Sequence, residues 1–526
     1  MFYIFLPLLF AIIISVFAIL KFKVFKDNEK FTAITQKVIK ILVVVYSCMM
    51  ILGLLLPDGF AISQSQEFLG SGKFQGHAVL RLLSALSFVV LPVAIFFKNR
   101  TIRNVAIYYS VIMTIVQIAC YGDYMSWLTS VDGRGLNSLP ISTGFKNFLL
   151  NEGFRGTYFA IEMLLQLSLP VVLALNEKHL FNVKDKKEWG KFFLVLPLLI
   201  IATTPIYVPQ YLFGYSNLIF KEYGLVHFLW VAVVIGLCVG LYYAFKKKDT
   251  ETKWVLLFIL SISLLMQYCQ MFSAISLNIK RLPLQLCNIG AFFILISLIT
   301  KNRTIFNFTV IINVVGALFA LAMPDLDGKG FFYLYNMHFI FEHTNVLVVP
   351  VLALAFGLFP RLDKKALKDC VVLFSIYFVS VWALGTMFNA IALSTGKSIF
   401  EANWMFMFSK SDAEDAISGI GKLFDINFKI GYATFYPVLQ LLVYIIFTAV
   451  VILMYYAIQL IYKVKDKIVN KRALANGTLT LQSEGNSLNQ IQENNSGESE
   501  FEVADAQQID TKSAEEQSIE NENIEK

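Results

Sequence analysis

Thirteen mostly apolar runs of about 18–23 residues follow one another along the first 462 residues, and nothing else in the chain constrains its fold as strongly. At about 1.5 Å per residue, such a run as a helix matches the hydrocarbon thickness of a bilayer. Inside lipid every backbone N–H and C=O needs a partner within the chain, which leaves helices or closed barrels. Barrel strands alternate in polarity over about ten residues; these runs do not, so they read as helices. Charge content agrees. Only 15% of residues are charged and 57% are hydrophobic, whereas a soluble domain carries about a quarter charged residues. The expected fold class is all-α, a polytopic transmembrane helical bundle. Spans are expected at about 1–20, 38–56, 79–97, 104–121, 157–175, 190–207, 225–245, 253–273, 282–300, 305–323, 337–358, 367–389 and 432–462. The first run has neither a basic leader nor a small-residue cleavage site, so it reads as a retained helix.

The loops alternate in charge. Segments 21–30, 98–104, 176–191, 246–253, 301–303 and 360–369 are rich in Lys and Arg, and the loops between them are nearly free of both. Basic loops stay on the cytoplasmic side. This predicts a multi-pass protein of the cell membrane with an extracytoplasmic N-terminus and a cytoplasmic C-terminus, anchored by KVKDKIVNKR (463–472). The net charge of +7 sits in these loops, so it reports topology and excludes nucleic acid as a partner. Membrane lipids are the expected partners, and no residue pattern specifies an oligomeric state. From residue 473 the chain is polar, acidic and poor in aromatics, the composition of a disordered tail.

The pentapeptide KNRTI occurs at 98–102 and again at 301–305, each time between two runs of similar length. Downstream, Glu162 and Pro170 are spaced as Glu342 and Pro350 are. The order of matches predicts two six-helix repeats in the same orientation plus a thirteenth helix. The expected domains are a degenerate first repeat (1–210), a second repeat and active half (211–410), the last helix with its basic anchor (411–472), and the tail (473–526).

The halves differ in chemistry. Aligned on KNRTI, Cys287 faces Ser84; aligned on the later Glu and Pro, Glu342 faces Glu162 but His343 faces Met163. Cys287 and His343 both fall roughly 8–10 Å inside the outer ends of their predicted helices. An imidazole beside a thiol can take its proton and create a nucleophile. Ionisable groups at membrane depth are costly and point to function, which singles out His343 and Glu342. Gln285, Asn288, Asn345 and Asp325 are near in sequence and could orient the imidazole or bind an oxyanion. Arg281, with Lys280, sits where a lipid phosphate or simple snorkelling would place it. His338 and Glu342 share a helix face and could hold a metal, but no third ligand is evident and no metal is expected. His227 and His77 read as interfacial. None of the six cysteines is in a CxxC pair, so neither a disulfide framework nor a zinc knuckle is indicated. No nucleotide fingerprint stands out, and no cofactor is expected.

RLPLQLCNIG (281–290), the PD at 324–325, the spacing from His343 to Pro350, and Asn389 followed by EANWMFM (401–407) together resemble the bacterial YwaF-type integral membrane family. The resemblance covers about 225–410. That family is similar to a eukaryotic transmembrane family acting as an ether-phospholipid acyltransferase through a cysteine in an equivalent PLxLC setting. The resemblance implies Cys287 as the acyl-accepting nucleophile and His343 as its base, and adds Asn389 and Asn403 to the site. The chain departs from the pattern at Gln285, where His is common, and at Trp404, where Tyr is usual. The expected function is a lipid acyltransferase or a related lipid acyl hydrolase. The alternatives are a transporter or lipid flippase built on two pseudo-symmetric halves, and a non-enzymatic scaffold.

Overall fold

Each of the thirteen predicted spans contains a helix in the structure, a computed structural model that describes all residues except 1, 27, 56–74, 120–141, 177–185, 207, 214–217, 275–278, 325, 327–329, 411–412, 414–418 and 476–526. The first six are α1 (Phe2–Ile19), α2 (Glu29–Leu55), α3 (Gln75–Phe96), α4 (Arg100–Ala119), α5 (Glu152–Asn176) and α6 (Lys186–Ala202). The next six are α7 (Leu225–Phe245), α8 (Thr250–Ala274), α9 (Leu286–Thr300), α10 (Arg303–Ala322), α11 (Leu334–Ala355) and α12 (Lys364–Thr395), and α13 is Pro437–Ala475. Among the described residues ten of these are long and apolar enough to cross a membrane. The chain is a multi-pass integral membrane protein. Its outward surface bears this out: Leu225, Phe228 and Val233 of α7 are all more than half exposed, while Gln, Asn, His and Glu side chains lie inside.

Several span ends depart from expectation: α2 begins at Glu29 rather than near 38, and α12 runs on to Thr395 rather than ending near 389. The ninth helix begins at Leu286 rather than near 282, because Pro283 has no N–H to donate and bars helical backbone at Leu282. The last begins at Pro437 rather than near 432. Ahead of it Phe428–Ile430 (β1) pairs antiparallel with Ala433–Phe435 (β2), turning at Gly431 with φ +58°, and Pro437 suits a first helical position. The helix then continues through the basic anchor to Ala475. The acidic tail from 476 on lies outside the described residues.

The two KNRTI copies do the same physical work. Asn99 Oδ1 accepts from the Ile102 N–H at 3.2 Å and Asn302 Oδ1 from the Ile305 N–H at 3.0 Å, capping α4 and α10. The neighbour relations also recur. In the first half α5 packs on α1, α2, α3 and α4, α4 on α3 and α6, and α2 on α3. In the second α11 packs on α7, α8, α9 and α10, α10 on α9 and α12, and α8 on α9. Between the halves α8 lies on α2 and α3, where Val255, Ile259 and Met266 join a core with Tyr46, Leu86, Leu91 and Val105.

Residues 1–455 make one compact unit; a second begins at Tyr456, and its described part is the end of α13.

Candidate active site

α9 and α11 come unusually close. A Cβ on Gly290 of α9 would lie 3.3 Å from both methyls of Val346 on α11. At this crossing a Cys287 Sγ, a Glu342 carboxylate oxygen and a His343 ring nitrogen all lie within 4.8 Å of one another. Glu342 and His343 are buried, while Cys287 and Asn288 stay partly exposed.

Cys287 is the second residue of α9, not five residues in. His343 lies nine residues beyond the start of α11. They meet because α9 starts deeper in the bundle. Tyr377, well inside α12, donates its hydroxyl to Leu284 O at 2.6 Å, just before α9 begins. In the first turn of a helix the backbone N–H groups have no intrahelical acceptors. Those of Cys287 and Asn288 lie within hydrogen-bond reach of Sγ. A thiolate here meets N–H donors and the positive end of the helix dipole. The thiol itself donates to Asn288 Oδ1 at 3.2 Å.

The imidazole is held in one tautomer. His343 Nδ1 is 2.7 Å from Phe339 O; a carbonyl only accepts, so Nδ1 carries the hydrogen and Nε2 of the neutral ring is left as the base. The neighbouring carboxylate is half used. Glu342 Oε2 is 3.1 Å from His338 Nε2, whereas Glu342 Oε1 and His338 Nδ1 are buried with no partner. Buried polar atoms are rarely left so. Thiolate, imidazole and carboxylate are all ligand types for zinc, so the trio that could hold a metal is Cys287, Glu342 and His343 rather than the His338–Glu342 pair read from sequence.

A loop roofs the start of α9. Gln285 donates Nε2–H to Asn403 O at 3.1 Å and accepts from Met405 N–H at 3.0 Å. Asn403 Oδ1 takes the Phe408 and Ser409 N–H groups. Asn389, on α12, donates to Ala402 O at 3.0 Å and accepts from Ala402 N–H at 3.1 Å. Gln285, Asn389 and Asn403, expected to bind substrate, thus have side chains engaged in holding the loop. The loop is strained: Met405 and Phe406 both have φ +56°, a region bulky residues avoid.

Other expected residues fall elsewhere. Asn345 donates to Phe341 O on its own helix at 3.0 Å. Asp325 and the Arg281 and His77 side chains lie outside the described residues. His227, in the first turn of α7, is buried against the protein; it accepts from Tyr223 N–H through Nδ1 and donates Nε2–H to Leu321 O at 2.6 Å. Residues not anticipated include Tyr268, which hydrogen-bonds Asn288 and packs by the His338 ring at 6.0 Å. Asn313 Nδ2 donates to Leu286 O from a π-helical turn, Thr309–Asn313; such turns concentrate at functional sites. Their sequence signal is a polar group inside an apolar run.

Residues 222–455 match the model of the TMEM164 family, a membrane protein family. The match takes in α7 to α12, the start of α13 and every residue of the trio. No curated protein and no solved structure matches the chain.

Proposed function

We propose that the chain is a lipid acyltransferase, or a lipid acyl hydrolase working by the same first step. The observation carrying this reading is the approach of Cys287, Glu342 and His343 to within 4.8 Å of one another from two separate helices. In the proposed first step His343 Nε2 takes the thiol proton and Sγ attacks the carbonyl carbon of an acyl ester. The bond from that carbon to the ester oxygen breaks, and the imidazolium returns the proton to the departing alcohol. Glu342 stabilises the imidazolium, and the free N–H groups of the first turn of α9 receive the oxyanion. A second hydroxyl, from a lysolipid or from water, then attacks the thioester, with His343 again taking its proton. The lipid is drawn from the extracytoplasmic leaflet, the side to which the charge pattern assigns this end of the bundle. The same reading takes the halves as a duplication, in which the first keeps the packing without the thiol and imidazole.

The test uses purified protein in nanodiscs containing a phospholipid with an alkyne-tagged acyl chain. Acid-quenched protein should carry the tag and lose it to neutral hydroxylamine, as a thioester does. Cys287→Ala should abolish the tag, and Cys287→Ser should either abolish it or make it hydroxylamine-resistant. A hydroxylamine-labile tag persisting in Cys287→Ala removes the nucleophile assignment. Activity lost to a chelator and restored by zinc would reassign the trio as metal ligands.

A further inference from the structure

Away from the trio, α12, the start of α13 and the hairpin β1–β2 enclose a groove of ≈ 380 Å³, within the size range of small-ligand pockets. Its walls are apolar and aromatic: Phe378 on α12, Phe428 and Phe435 on the hairpin, Leu441 on α13. The Phe428 and Phe435 rings stack at 5.0 Å, and the Trp382 ring lies 6.1 Å from Phe435. Among the described residues no Lys, Arg, His, Asp or Glu lines it.

A donor account then narrows the occupant. Ser375 and Tyr444 both line the groove, but their hydrogens are used. Ser375 Oγ donates to Val371 O at 2.8 Å, so Tyr444 must donate to Ser375 Oγ across 2.7 Å. Two other lining side chains are not satisfied. Trp382 Nε1 and Gln440 Nε2 are buried N–H donors without an acceptor, and the Gln440 side chain belongs to a residue only 6% exposed. A buried amide donor without a partner is costly. The missing component is an acceptor that brings no donor and no charge, attached to something apolar. An ester carbonyl on an acyl chain meets that description; a free carboxylate does not, for want of a cation. The depth is right as well. Gln440 is in the first turn of α13, where a spanning helix enters the membrane, and indole N–H groups favour the level of the lipid headgroups and ester carbonyls.

We infer that this groove binds one acyl chain of a glycerolipid, whose ester carbonyl accepts from Trp382 Nε1–H and Gln440 Nε2–H while the chain lies against Phe378, Phe428, Phe435 and Leu441. The site is separate from Cys287 and stands whether or not that thiol is a nucleophile.

The protein is placed in nanodiscs doped with a phosphatidylcholine bearing a diazirine near the ester end of one chain, irradiated, and mapped by peptide mass spectrometry. Cross-links should concentrate on 375–382 and 435–444. Gln440→Leu and Trp382→Phe, which keep bulk and drop the donor, should each lower that labelling about 3- to 10-fold. Labelling of the lipid-facing α7 should not change, which also reports that the fold is intact. Labelling spread evenly over α7 and the groove, or unaltered by both substitutions, overturns the proposal. Displacement by excess oleate but not by unlabelled phosphatidylcholine overturns the ester assignment in favour of a fatty acid.

Discussion

Consider the replacement of Gly385 by alanine. Gly385 sits inside α12, where alanine is the better helix former by about 0.8–1 kcal/mol. Propensity alone therefore predicts a gain. Packing predicts the reverse. A Cβ on Gly385 would run into the Phe408 ring at Cε2 and Cζ and stand 3.1 Å from Cδ2. The ring cannot simply back away, because the Phe408 N–H is held by Asn403 Oδ1 at 3.3 Å and the adjoining Ser409 N–H by the same oxygen at 3.1 Å. Overpacking of this kind costs about 1–3 kcal/mol, so the net loss should be about 1 kcal/mol and no more than ~2. Unfolding midpoints of wild type, Gly385→Ala, Phe408→Ala and the double variant form a cycle. In the Phe408→Ala background the clash is gone and Gly385→Ala should stabilise by about 1 kcal/mol. An equal gain from Gly385→Ala in both backgrounds would refute the packing of the loop on α12.

Three further outcomes are expected. Gln285→Leu removes the two hydrogen bonds holding Asn403 and Met405, at about 1 kcal/mol each plus the exposure of unmatched backbone; hydrogen exchange at the Met405 amide should rise at least ~10-fold, with no acceleration at the Phe306 amide inside α10. Gly290→Val pushes α9 off Val346 and Asn313, so it should abolish acyl labelling while the protein still purifies as a folded species; undiminished labelling would detach the chemistry from this helix crossing. Asp363 caps α12 through the Ala366 N–H at 2.7 Å and pairs with Arg303 at 2.8 Å. Partial burial pushes its carboxyl up, but the Ala366 N–H and Arg303 outweigh this and leave it below the usual range. A depressed folded-state value means its contribution is complete above about pH 4 and fades as pH falls through that lower value. Asp363→Ala should thus cost about 1 kcal/mol at neutral pH, nearly all of it from the cap since the ion pair is half exposed, and the gap to wild type in unfolding midpoint should close on acidification below pH ~4.

The helices were legible because lipid punishes every alternative: among the described residues each of the thirteen apolar runs contains a helix, ten of them long and apolar enough to cross a membrane. At two of the ends that failed to match, a local rule had priority over hydropathy: Pro283 delayed α9, and Gly431 with Pro437 made a hairpin out of residues that read as the start of a span. That Cys287 and His343 approach each other was right for a partly wrong reason. Equal depth along their helices was the sequence criterion, yet the helices begin at different levels, and the two meet because one starts inside the bundle. Gln285 stands out as a polar residue near a thiol, and Asn389 and Asn403 enter through the family resemblance, but neither signal tells a side chain that binds substrate from one that satisfies a strained loop. Tyr268 and Asn313 lie outside the sequence motifs that single out the site, and only the fold brings them to Asn288 and Leu286.

The contrast between the halves is sharper in three dimensions than in the alignment of residues. α5 and α11 have matching neighbours, and each carries a buried glutamate, Glu162 or Glu342. One turn beyond Glu162, Gln166 accepts from Tyr46 at 3.4 Å and donates to Thr114 and Gln117 at 3.2 and 3.3 Å. Among the described residues no side-chain oxygen or nitrogen of Tyr46, Thr114, Gln117, Glu162 or Gln166 is buried without a partner. On α11, Glu342 Oε1 and, one turn earlier, His338 Nδ1 are buried and unmatched. Burial of polar groups is tolerated when they are matched and costs on the order of 1–3 kcal/mol when they are not. A satisfied network needs nothing further to explain it than the packing it specifies. The unmatched pair on α11 lies beside Cys287, and since Glu342 Oε1 and, in the neutral ring, His338 Nδ1 both accept, what is missing there is a donor; on the proposed reading the attacking hydroxyl supplies one. Around Glu162 no such atom occurs among the described residues, although elsewhere on α5 Ser168 Oγ and Asn176 Oδ1 are buried and unmatched.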